Sequence, residues 1–397
     1  MITTINNKHK KLNVPNLRFK EFQGEWEKHE LGDICETITD FVAAGSFASL
    51  RENVKYYQED NYAQLVRTVD LKKDFTNNDF VYVDEFAYDF LWRVQLKEPN
   101  IVLPNIGANI GEKYYVSPKD LPKEKNVLGP NAILLRSKCN DTHFAYFRLS
   151  TSSYDNETKK LVGASGQPKF NKTDLKKVRL FIPSLKEQKK ISYFLGLLEE
   201  RIATQNKIID KLQSLIRGIR NDVFGKLRKI VGFNAMISDV LSYEQPQPYI
   251  VENTEYTAEG TPVLTANKAF VLGYTSETNG IYDKGDCIIF DDFTLDCKYV
   301  DFPYKIKSSA IKILTAKNKE ILRYTFEFLK YLDLSTDEHK RHYIAETQNQ
   351  EFVLPTMQIV RTIAHAFSAL SLRMESVVKQ RNMFETQKQY LLRQMFI

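Results

Sequence analysis

The sequence is poor in the residues on which disulfide-rich, zinc-binding and dinucleotide-binding proteins depend. Only four cysteines occur in 397 residues, at positions 35, 139, 287 and 297, with no Cys-x-x-Cys pair or Cys/His cluster. This spacing excludes a familiar zinc knuckle and predicts free, buried or half-buried thiols in a reducing compartment. Glycine is sparse, at 16 residues, and Ile106 to Gly111 lacks both the Gly-x-Gly-x-x-Gly spacing and a Walker lysine, so we expect a turn there.

Long apolar runs and a strong charge excess are also missing. No segment approaches the run of about 20 apolar residues that a membrane span requires. The opening MITTINNKHKK contains no apolar core of a signal peptide. The net charge is only +6, which permits a polyanionic partner without demanding one. With 43% hydrophobic and 27% charged residues, we expect two or three soluble domains in the cytoplasm.

An internal repeat organises the chain. Residues 181–224 and 352–397 match when shifted by 172 positions, which places Pro183 on Pro355 and Phe224 on Phe396. Both segments have the 4-3-4-3 apolar spacing of a coiled coil. The predicted core positions are Ile191, Leu195, Leu198, Ile202, Gln205, Ile209, Leu212, Ile216, Ile219 and Val223, and in the second segment Ile363, Phe367, Leu370, Met374, Val377, Arg381, Phe384, Leu391 and Met395.

A duplicated unit predicts that the two helices pair antiparallel about a pseudo-two-fold axis. In that register Gln205 faces Arg381 near the middle of the seam, a polar layer that disfavours slipped pairings. Lys388 faces Leu198, and we expect its stem to lie along the seam with its ammonium in solvent. Two unrelated amphipathic helices with chance similarity are the alternative interpretation.

The regions before the helices repeat more weakly. Residues 64–73, 101–116 and 131–136 correspond to 262–274, 286–300 and 309–314. The predicted fold is α/β (α+β), with two globular domains separated by two long helices that form an antiparallel coiled coil in a pseudo-two-fold internal repeat. The boundaries are a lead-in at 1–25, a globule at 26–183, a helix at 184–230, a second globule at 231–355 and a helix at 356–397.

No residue pattern predicts catalysis. Asp155, Glu157 and Lys159, or alternatively Asp291, Asp292 and Lys298, have the composition of a nuclease site, but such clusters arise easily in a chain with this charge content. We therefore interpret the chain as non-catalytic, with no metal or cofactor of its own. His339 and His342 lack an acidic or thiol partner in the local sequence and predict a solvated basic turn.

Polar and basic loops are the better functional signal. Amide side chains pair with adenine edges and Arg or Lys with guanine, while Lys contacts to phosphate set register. Such loops are also ordinary solvent-exposed turns. The candidates for DNA contacts are Arg67, Lys72, Asn105, Asn109, Lys113, Ser165, Gly166, Gln167, Lys169 and Asn171 in the first globule, and Lys268, Thr294, Lys298, Lys340, Arg341, Gln348 and Asn349 in the second.

Over essentially its whole length the chain resembles the specificity subunit of a type I restriction–modification enzyme. The resemblance rests on VPNLRFKEFQGEW (14–26), LGDI (31–34), GQPKFNKTDLKKVRLFIPSLKEQKKI (166–191) and the repeated helix ending. Pro183, Glu187 and Gln188 form its Pro-x-x-x-Glu-Gln element. The second copy departs from this pattern, with Ile359 and Val360 in place of the Glu-Gln pair.

The resemblance implies two target-recognition domains, each reading one half of an asymmetric bipartite site in double-stranded DNA. It also implies a helical spacer that docks two methyltransferase subunits, with restriction and translocase subunits joining them. S-adenosylmethionine, ATP and Mg would then be carried by those partners. A coiled-coil adaptor whose globules bind proteins is the structural alternative, and a nuclease acting alone is the enzymatic one.

Overall fold

Short strands and helices of very different lengths make up the described chain, which in this computed structural model comprises residues 2–4, 13–106, 110–161, 171–266, 269–336 and 340–397. The chain divides into two units, one formed by Met1–Ala203 with Asn382–Ile397 and the other by Thr204–Arg381. Both long helices contribute to both units, because the unit boundaries fall inside them.

The first unit contains eleven short strands among its described residues. These are β1 (Ile2–Thr4), β2 (Leu17–Phe19), β3 (Glu27–Glu30), β4 (Thr37–Asp40), β5 (Ala63–Val66), β6 (Tyr82–Val83), β7 (Asn100–Pro104), β8 (Tyr114–Val116), β9 (Asn126–Leu128), β10 (Ala132–Arg136) and β11 (Arg179–Ile182). The helices are α1 (Leu31–Ile34), α2 (Phe47–Asn53), α3 (Thr68–Lys72), α4 (Glu85–Phe90), α5 (Thr142–Leu149), α6 (Ser152–Leu161), α7 (Lys172–Lys176) and the long α8 (Leu185–Ile230).

The second unit uses fewer elements. Its strands are β12 (Ala235–Met236), β13 (Ser242–Glu244), β14 (Thr261–Leu264), β15 (Val271–Thr275), β16 (Cys287–Asp291), β17 (Cys297–Val300), β18 (Lys305–Ile306), β19 (Ile311–Thr315) and β20 (Glu351–Phe352). Its helices are α9 (Ile237–Val240), α10 (Lys319–Leu332) and the long α11 (Met357–Gln394).

The two units share one sheet topology. An antiparallel four-stranded sheet has the order β4-β10-β7-β8 in the first and β13-β19-β16-β17 in the second. A three-stranded sheet follows in each, β6-β5-β9 and β15-β14-β18, with one antiparallel and one parallel pair. In each globule a separate two-stranded sheet joins the first strand to the last. These pairs are β3 with β11 and β12 with β20. The internal repeat and the mixed helix–sheet fold class are therefore confirmed.

Burial on both faces explains the apolar central strands. In β10, residues Ala132 to Leu135 are all buried, and in β19 the same holds for Ile311 to Leu314. A strand covered on both faces reads as a continuous apolar run rather than an alternating one. The exception is Lys312, a cation with 1% of its side chain exposed in the middle of β19.

The long helices run where the heptad pattern places them. Every predicted seam position on α8 and α11 is buried or half-buried. Two contacts give the relative direction of the helices. Glu199 binds Lys388, whereas Arg201, further along α8, lies over the ring of Phe384, which comes earlier on α11. The helices therefore pair antiparallel. Burying such a stripe supplies most of the stability of long helices.

Lys388 is the one seam expectation that is wrong. Its ammonium does not lie in solvent but donates to Oε1 of Glu199 at 2.6 Å, with 16% of the lysine side chain exposed. Burial raises the pKa of Glu199, but hydrogen bonds and charge from His143 and Lys388 outweigh it and lower the pKa overall. Gln205 Oε1 and Arg381 Nε are both buried without a hydrogen-bond partner among the described residues, and their pairing stays a prediction.

The repeated phenylalanines occupy equivalent places. Phe224, near the end of α8, packs on three aromatic rings of α10, with ring centroids 5.3–5.5 Å apart. Phe396, just past the end of α11, packs against Trp26 and against Phe144 of α5. Each long helix thus begins at one globule and ends in the aromatic core of the other.

The Pro-x-x-x-Glu-Gln element anchors the start of α8. Glu187, 2% exposed, accepts two hydrogen bonds at 2.8 Å from the Arg18 guanidinium. Gln188 donates to the carbonyl of Pro183 and accepts from the N–H of Asp141, the N-cap of α5. In the second copy Val360 is fully buried in an apolar core instead.

Candidate nucleic-acid interface

The repeat places the predicted DNA-contact residues on matching parts of the two units. Four segments carry most of them: the β7–β8 turn, the β16–β17 turn, and the loops before β11 and before β20. Asn109, Ser165, Gly166, Gln167, Lys169 and Lys268 lie outside the described residues. The contacts of the remaining candidates show which of their polar groups already form bonds within the protein.

Arg67 is held in place by its own turn. It is the N-cap of α3, and its guanidinium donates to the Asp70 carboxylate at 2.8 and 3.1 Å and to the carbonyl of Asp79 at 2.7 Å. Asp70 is fully buried and also accepts a hydrogen bond from Asn77. The hydrogen bond to Asp70 raises the pKa of Arg67. Several N–H groups of the Arg67 guanidinium are therefore already hydrogen-bonded within the protein.

Lys72, Asn105 and Lys113 surround the β7–β8 turn. Lys72 is half exposed and donates to Oε1 of Glu112 at 2.6 Å, which ties α3 to the turn. Lys113 is 10% exposed and forms an ion pair with Asp155 of α6. Asn105 Oδ1 is buried without a hydrogen-bond partner in the described part of the chain. Buried amide oxygens normally find a partner, but Asn77, Asn100 and Asn126 have oxygens in the same state, so this feature does not single out Asn105.

Asn171 acts as a helix cap. Its side-chain oxygen accepts the N–H of Asp174 at 2.9 Å, and its amide donates to the Asp174 carboxylate at 2.7 Å. This arrangement satisfies an otherwise unpaired N–H in the first turn of α7. The residue therefore fixes where the preceding loop ends.

The second unit folds its β16–β17 turn around a carboxylate. Asp291 accepts the N–H groups of Phe293 and Thr294 at 3.0 and 2.9 Å. Lys298 on β17 lies 3.4 Å from Asp296, with a third of its side chain exposed. Thr294 and Lys298 thus belong to a turn whose backbone is ordered by acidic side chains.

Asp292 joins this turn to the loop before β20. Its Oδ1 accepts the N–H groups of His342 and Tyr343 at 3.0 and 2.7 Å. Its other oxygen lies 3.6 Å from the ammonium of Lys312, which donates to Gln245 at 2.9 Å. Asp292 and Lys312 are each 1% exposed. We call Asp292 with Lys312 the loop clamp.

Sequence reasoning missed the loop clamp. Asp292 stood out only as half of an acidic pair that resembles nuclease ligands, and Lys312 looked like a strand residue. The available signal was the lysine inside an apolar strand, because a buried cation requires a partner.

The loop after the clamp is ordered by local bonds. Lys340 lies 2.9 Å from Glu346, Gln348 donates to the carbonyl of Ile344, and Asn349 donates to that of Ala345. Arg341 is exposed. His342 corrects the expectation of a solvated turn, since its side chain is 2% exposed and its ring bonds to Glu346. His339 lies outside the described residues.

Exposed aromatic side chains are a further group that sequence reasoning missed. In the first unit Trp92 is 61% exposed with the Arg93 guanidinium 4.5 Å from its ring centre, and Phe47 and Phe86 are more exposed still. Aromatic faces and guanidinium planes can stack on bases. Single exposed apolar residues are also ordinary on soluble proteins, so these side chains remain candidates.

Two catalytic signatures are missing from the described ranges. Among those residues, no group of three His, Cys, Asp or Glu side chains is placed to hold a metal ion. Of the four free cysteines three are buried and Cys139 is exposed, contrary to expectation for that residue. Burial raises the pKa of Cys35 and Cys287 to about 12, which disfavours the nucleophilic thiolate. None of the helices described has the length and apolar character needed to span a bilayer.

Comparisons with known proteins found similarity to specificity subunits of type I restriction enzymes. Residues 23–214 match the family described as type I restriction modification DNA specificity domain. The specificity subunit of the Escherichia coli type I restriction enzyme EcoR124I/EcoR124II is 43% identical over 126 residues, which is 30% of this chain and 31% of that protein. A putative type I restriction enzyme MjaX specificity subunit from Methanocaldococcus jannaschii is 26% identical over 223 residues, 55% of this chain and 50% of that protein.

These matches span a third to a half of the curated relatives. A solved structure extends the likeness in fold. The S subunit of a type I restriction–modification system from M. genitalium superposes with a TM-score of 0.64 over 97% of this chain and 99% of that one. Its sequence identity is 14%, so this similarity concerns the fold alone.

Proposed function

We propose that the whole chain is the sequence-specific DNA-recognition subunit of a type I restriction–modification complex, and the match of residues 23–214 to the family described as type I restriction modification DNA specificity domain supports this. The observation that carries the proposal is the second copy of the same sheet topology in residues outside that match. A chain with two copies of one DNA-reading fold is suited to two half-sites, as dimeric repressors are.

The half-sites should differ from each other. The β7–β8 turn is tied to α6 through Lys113 and Asp155, whereas the β16–β17 turn is tied to the β20 loop through the loop clamp. Different side chains and different supports at matching places favour two different base sequences. We therefore propose an asymmetric bipartite target in double-stranded DNA, with one globule per half-site.

The long helices are proposed to set the half-site spacing and to dock two modification subunits. Several side chains outside the seam support this, because they are apolar and exposed along both helices. They include Tyr193, Leu215 and Ile230 on α8, and Leu372, Met383 and Tyr390 on α11. Such residues mark a protein interface where they form a contiguous patch, and we propose that those on these helices do so.

Chemistry is proposed to reside in the partners. The chain itself would be non-catalytic and bind no cofactor, while methyltransferase subunits carry S-adenosylmethionine and restriction or translocase subunits carry ATP and Mg. Its place of action would be the cytoplasm, where cellular DNA is found.

Methylome sequencing tests the function directly. Cells that carry the chain with its modification subunits should show methylation at one asymmetric bipartite motif, and cells that lack only this chain should lose that motif. An unchanged methylome would contradict the proposal. A protein-binding adaptor would also leave it unchanged and would lack the steep salt dependence that phosphate neutralisation gives to DNA binding.

A further inference from the structure

A cavity of about 420 Å³ lies in the first unit at the two ends of a candidate reading loop. Ser153 and Glu157 of α6 line one side, and Asp174 and Lys177 line another. The chain leaves α6 at Leu161 and enters α7 at Lys172, so these walls flank the segment that carries the predicted reading residues.

Arg148 lines the cavity and is 2% exposed. Nη1 of this arginine donates to the Thr151 hydroxyl at 2.8 Å, while its Nε has no hydrogen-bond partner among the described residues. Burial lowers the pKa of Arg148 to about 10, because the charged form is poorly solvated.

Arg148 differs from the other deeply buried cations in the described ranges. Each of those has a carboxylate within 4 Å: Arg18 has Glu187, Lys305 has Glu277, Lys312 has Asp292 and Arg323 has Glu327. Arg148 has only a hydroxyl group. A buried charge without a counter-ion is costly, so an anion from outside the described residues would stabilise this site.

Three more cations line the cavity. Lys28, Lys177 and Arg179 are exposed and line it. The side-chain carboxylates that line it are Glu157 and Asp174, and Ile397 at the end of the sequence lines it too. Asp174 is engaged by Asn171 and lies 3.8 Å from Lys177, and Arg179 lies 3.5 Å from Glu30. Cations therefore outnumber carboxylates around the cavity.

We propose that this cavity binds a phosphate group of the DNA backbone, with Arg148 as the buried donor and Lys28, Lys177 and Arg179 as the exposed cations of its lining. The inference rests on the proposed function and adds a site to it. A guanidinium offers a planar pair of donors that matches phosphate oxygens. Phosphate contacts fix the register of a protein on DNA without reading sequence. A phosphate held here would set the reading loop against the bases.

The test uses the chain assembled with its modification subunits and three variants. Arg148→Met removes the charge at similar size, Arg148→Lys keeps it, and Thr151→Val is the matched control that removes only the internal hydroxyl. DNA affinity is measured across a salt series for duplexes with the target and with a scrambled sequence. Arg148→Met should weaken both duplexes by a similar factor and reduce the log–log salt slope by about 0.9, the value for one lost phosphate contact. Arg148→Lys and Thr151→Val should keep the slope.

Three other outcomes would contradict the binding of a DNA phosphate in this cavity. An unchanged slope in Arg148→Met, with the wild-type protein still binding DNA, would overturn the inference and leave the proposed function standing. An unchanged slope together with stabilisation of the wild type by inorganic phosphate would make it a free-anion site. An unchanged slope with lost affinity for modification subunits would make it a protein contact.

Folding is checked separately. If Arg148→Met does not fold, the double variant Lys177→Met/Arg179→Met carries the same test, because both side chains are exposed; it should lower the slope, and an unchanged slope overturns the site. Failure of the wild-type complex to bind DNA at all would instead overturn the proposed function together with this inference.

Discussion

At the scale of single residues, buried polar groups distinguish the two globules. Asp292 and Lys312 form an ion pair that is 1% exposed in the second unit, while the aligned strand of the first has Leu134, fully buried. Desolvating two charges is expensive and is offset only when hydrogen bonds satisfy the remaining groups. Here the N–H groups of the β20 loop supply two of those bonds. The loop clamp therefore makes the core less stable but fixes the position of the loop before β20.

Replacing Asp292 by Ala removes the oxygen that accepts the N–H groups of His342 and Tyr343, and should therefore disorder the loop it holds. The change leaves Lys312 buried without its carboxylate, which we expect to cost about 3–5 kcal/mol of unfolding free energy in the second unit. Hydrogen exchange at the amides of His342 and Tyr343 should become faster. The double variant Asp292→Leu/Lys312→Met should recover stability but not the protection of those amides. If the amides stay protected in both variants, the clamp does not order the loop.

Glu36 provides a pH-dependent contact in the first unit. It accepts the N–H groups of Lys138 and Cys139 at 2.8 and 3.2 Å, and so ties the turn before α5 to the turn after α1. Burial raises the pKa of Glu36, but these hydrogen bonds outweigh it and lower the pKa to about 2.

A lowered folded-state pKa stabilises the protein above the unfolded value, and the gain is lost as pH falls from about 4.5 to about 2. Glu36→Gln should lower the Tm at pH 7 by about 2–4 °C, since exposed bonds of this kind contribute about 1 kcal/mol. Thermal unfolding of both proteins between pH 7 and pH 2 should show the difference shrink in that window. A constant difference across the series would rule out the carboxylate as its source.

At the scale of elements, the long helices follow from local pattern. Prolines precede both helices in the sequence, the 4-3-4-3 spacing defines the seam, and the structure has helices at Leu185–Ile230 and Met357–Gln394. Their ends are decided differently. Phe224 and Phe396 repeat in the sequence, but only the fold shows that they enter the aromatic cores of α10 and α5.

Truncating these two phenylalanines should affect different units. Phe224 is fully buried and Phe396 is 6% exposed, so each change to Ala should cost about 3–5 kcal/mol through lost burial and a cavity. Hydrogen exchange should rise in the second unit for Phe224→Ala and in the first unit for Phe396→Ala. Met383→Ala, at a residue 62% exposed on α11, is the control and should change stability by less than about 0.5 kcal/mol. Destabilisation of the same unit by both variants would contradict the assigned contacts.

At the scale of the whole molecule, one sheet topology occurs twice, and we assign each copy to one half-site under the proposed function. The segment 26–182 contains β3 through β11 in full, so it carries the three sheets that these strands form. Its contacts with the C-terminal helix include those of Trp26 and Phe144, which pack on Phe396. A graft that keeps these two aromatic residues should keep the docking surface.

Exchange of residues 26–182 for the matching segment of another specificity subunit should change one half of the methylated motif and leave the other half intact. Methylome sequencing of cells with the chimaera measures both halves at once. The parental chain and a chimaera with the reciprocal exchange of 231–355 are the controls. Alteration of both halves by the first exchange would contradict the assignment of one globule to one half-site.

The candidate site was far less predictable than the fold. The domain boundaries and the DNA-contact residues stay predictions, because a reading loop is defined by what its side chains are free to touch. Arg67 and Asn171 have the right chemistry for DNA, yet much of their hydrogen bonding serves an internal turn and a helix cap. Arg148 carried no sequence signal, since an arginine near a helix end is ordinary until its burial and missing counter-ion are known.

The sequence alone determined the repeat, the antiparallel helices and the resemblance that leads to the proposed function. Heptad spacing, helix-starting prolines and apolar strands are local patterns, and local patterns are read directly from residue order. Only the tertiary structure decided which charged side chains are already paired within the protein. Glu187 is paired by Arg18, 169 positions away, and Glu199 by Lys388, 189 positions away. The cost of burying a charge depends on such distant partners, so the fold had to be known before a cation could be identified as lacking one.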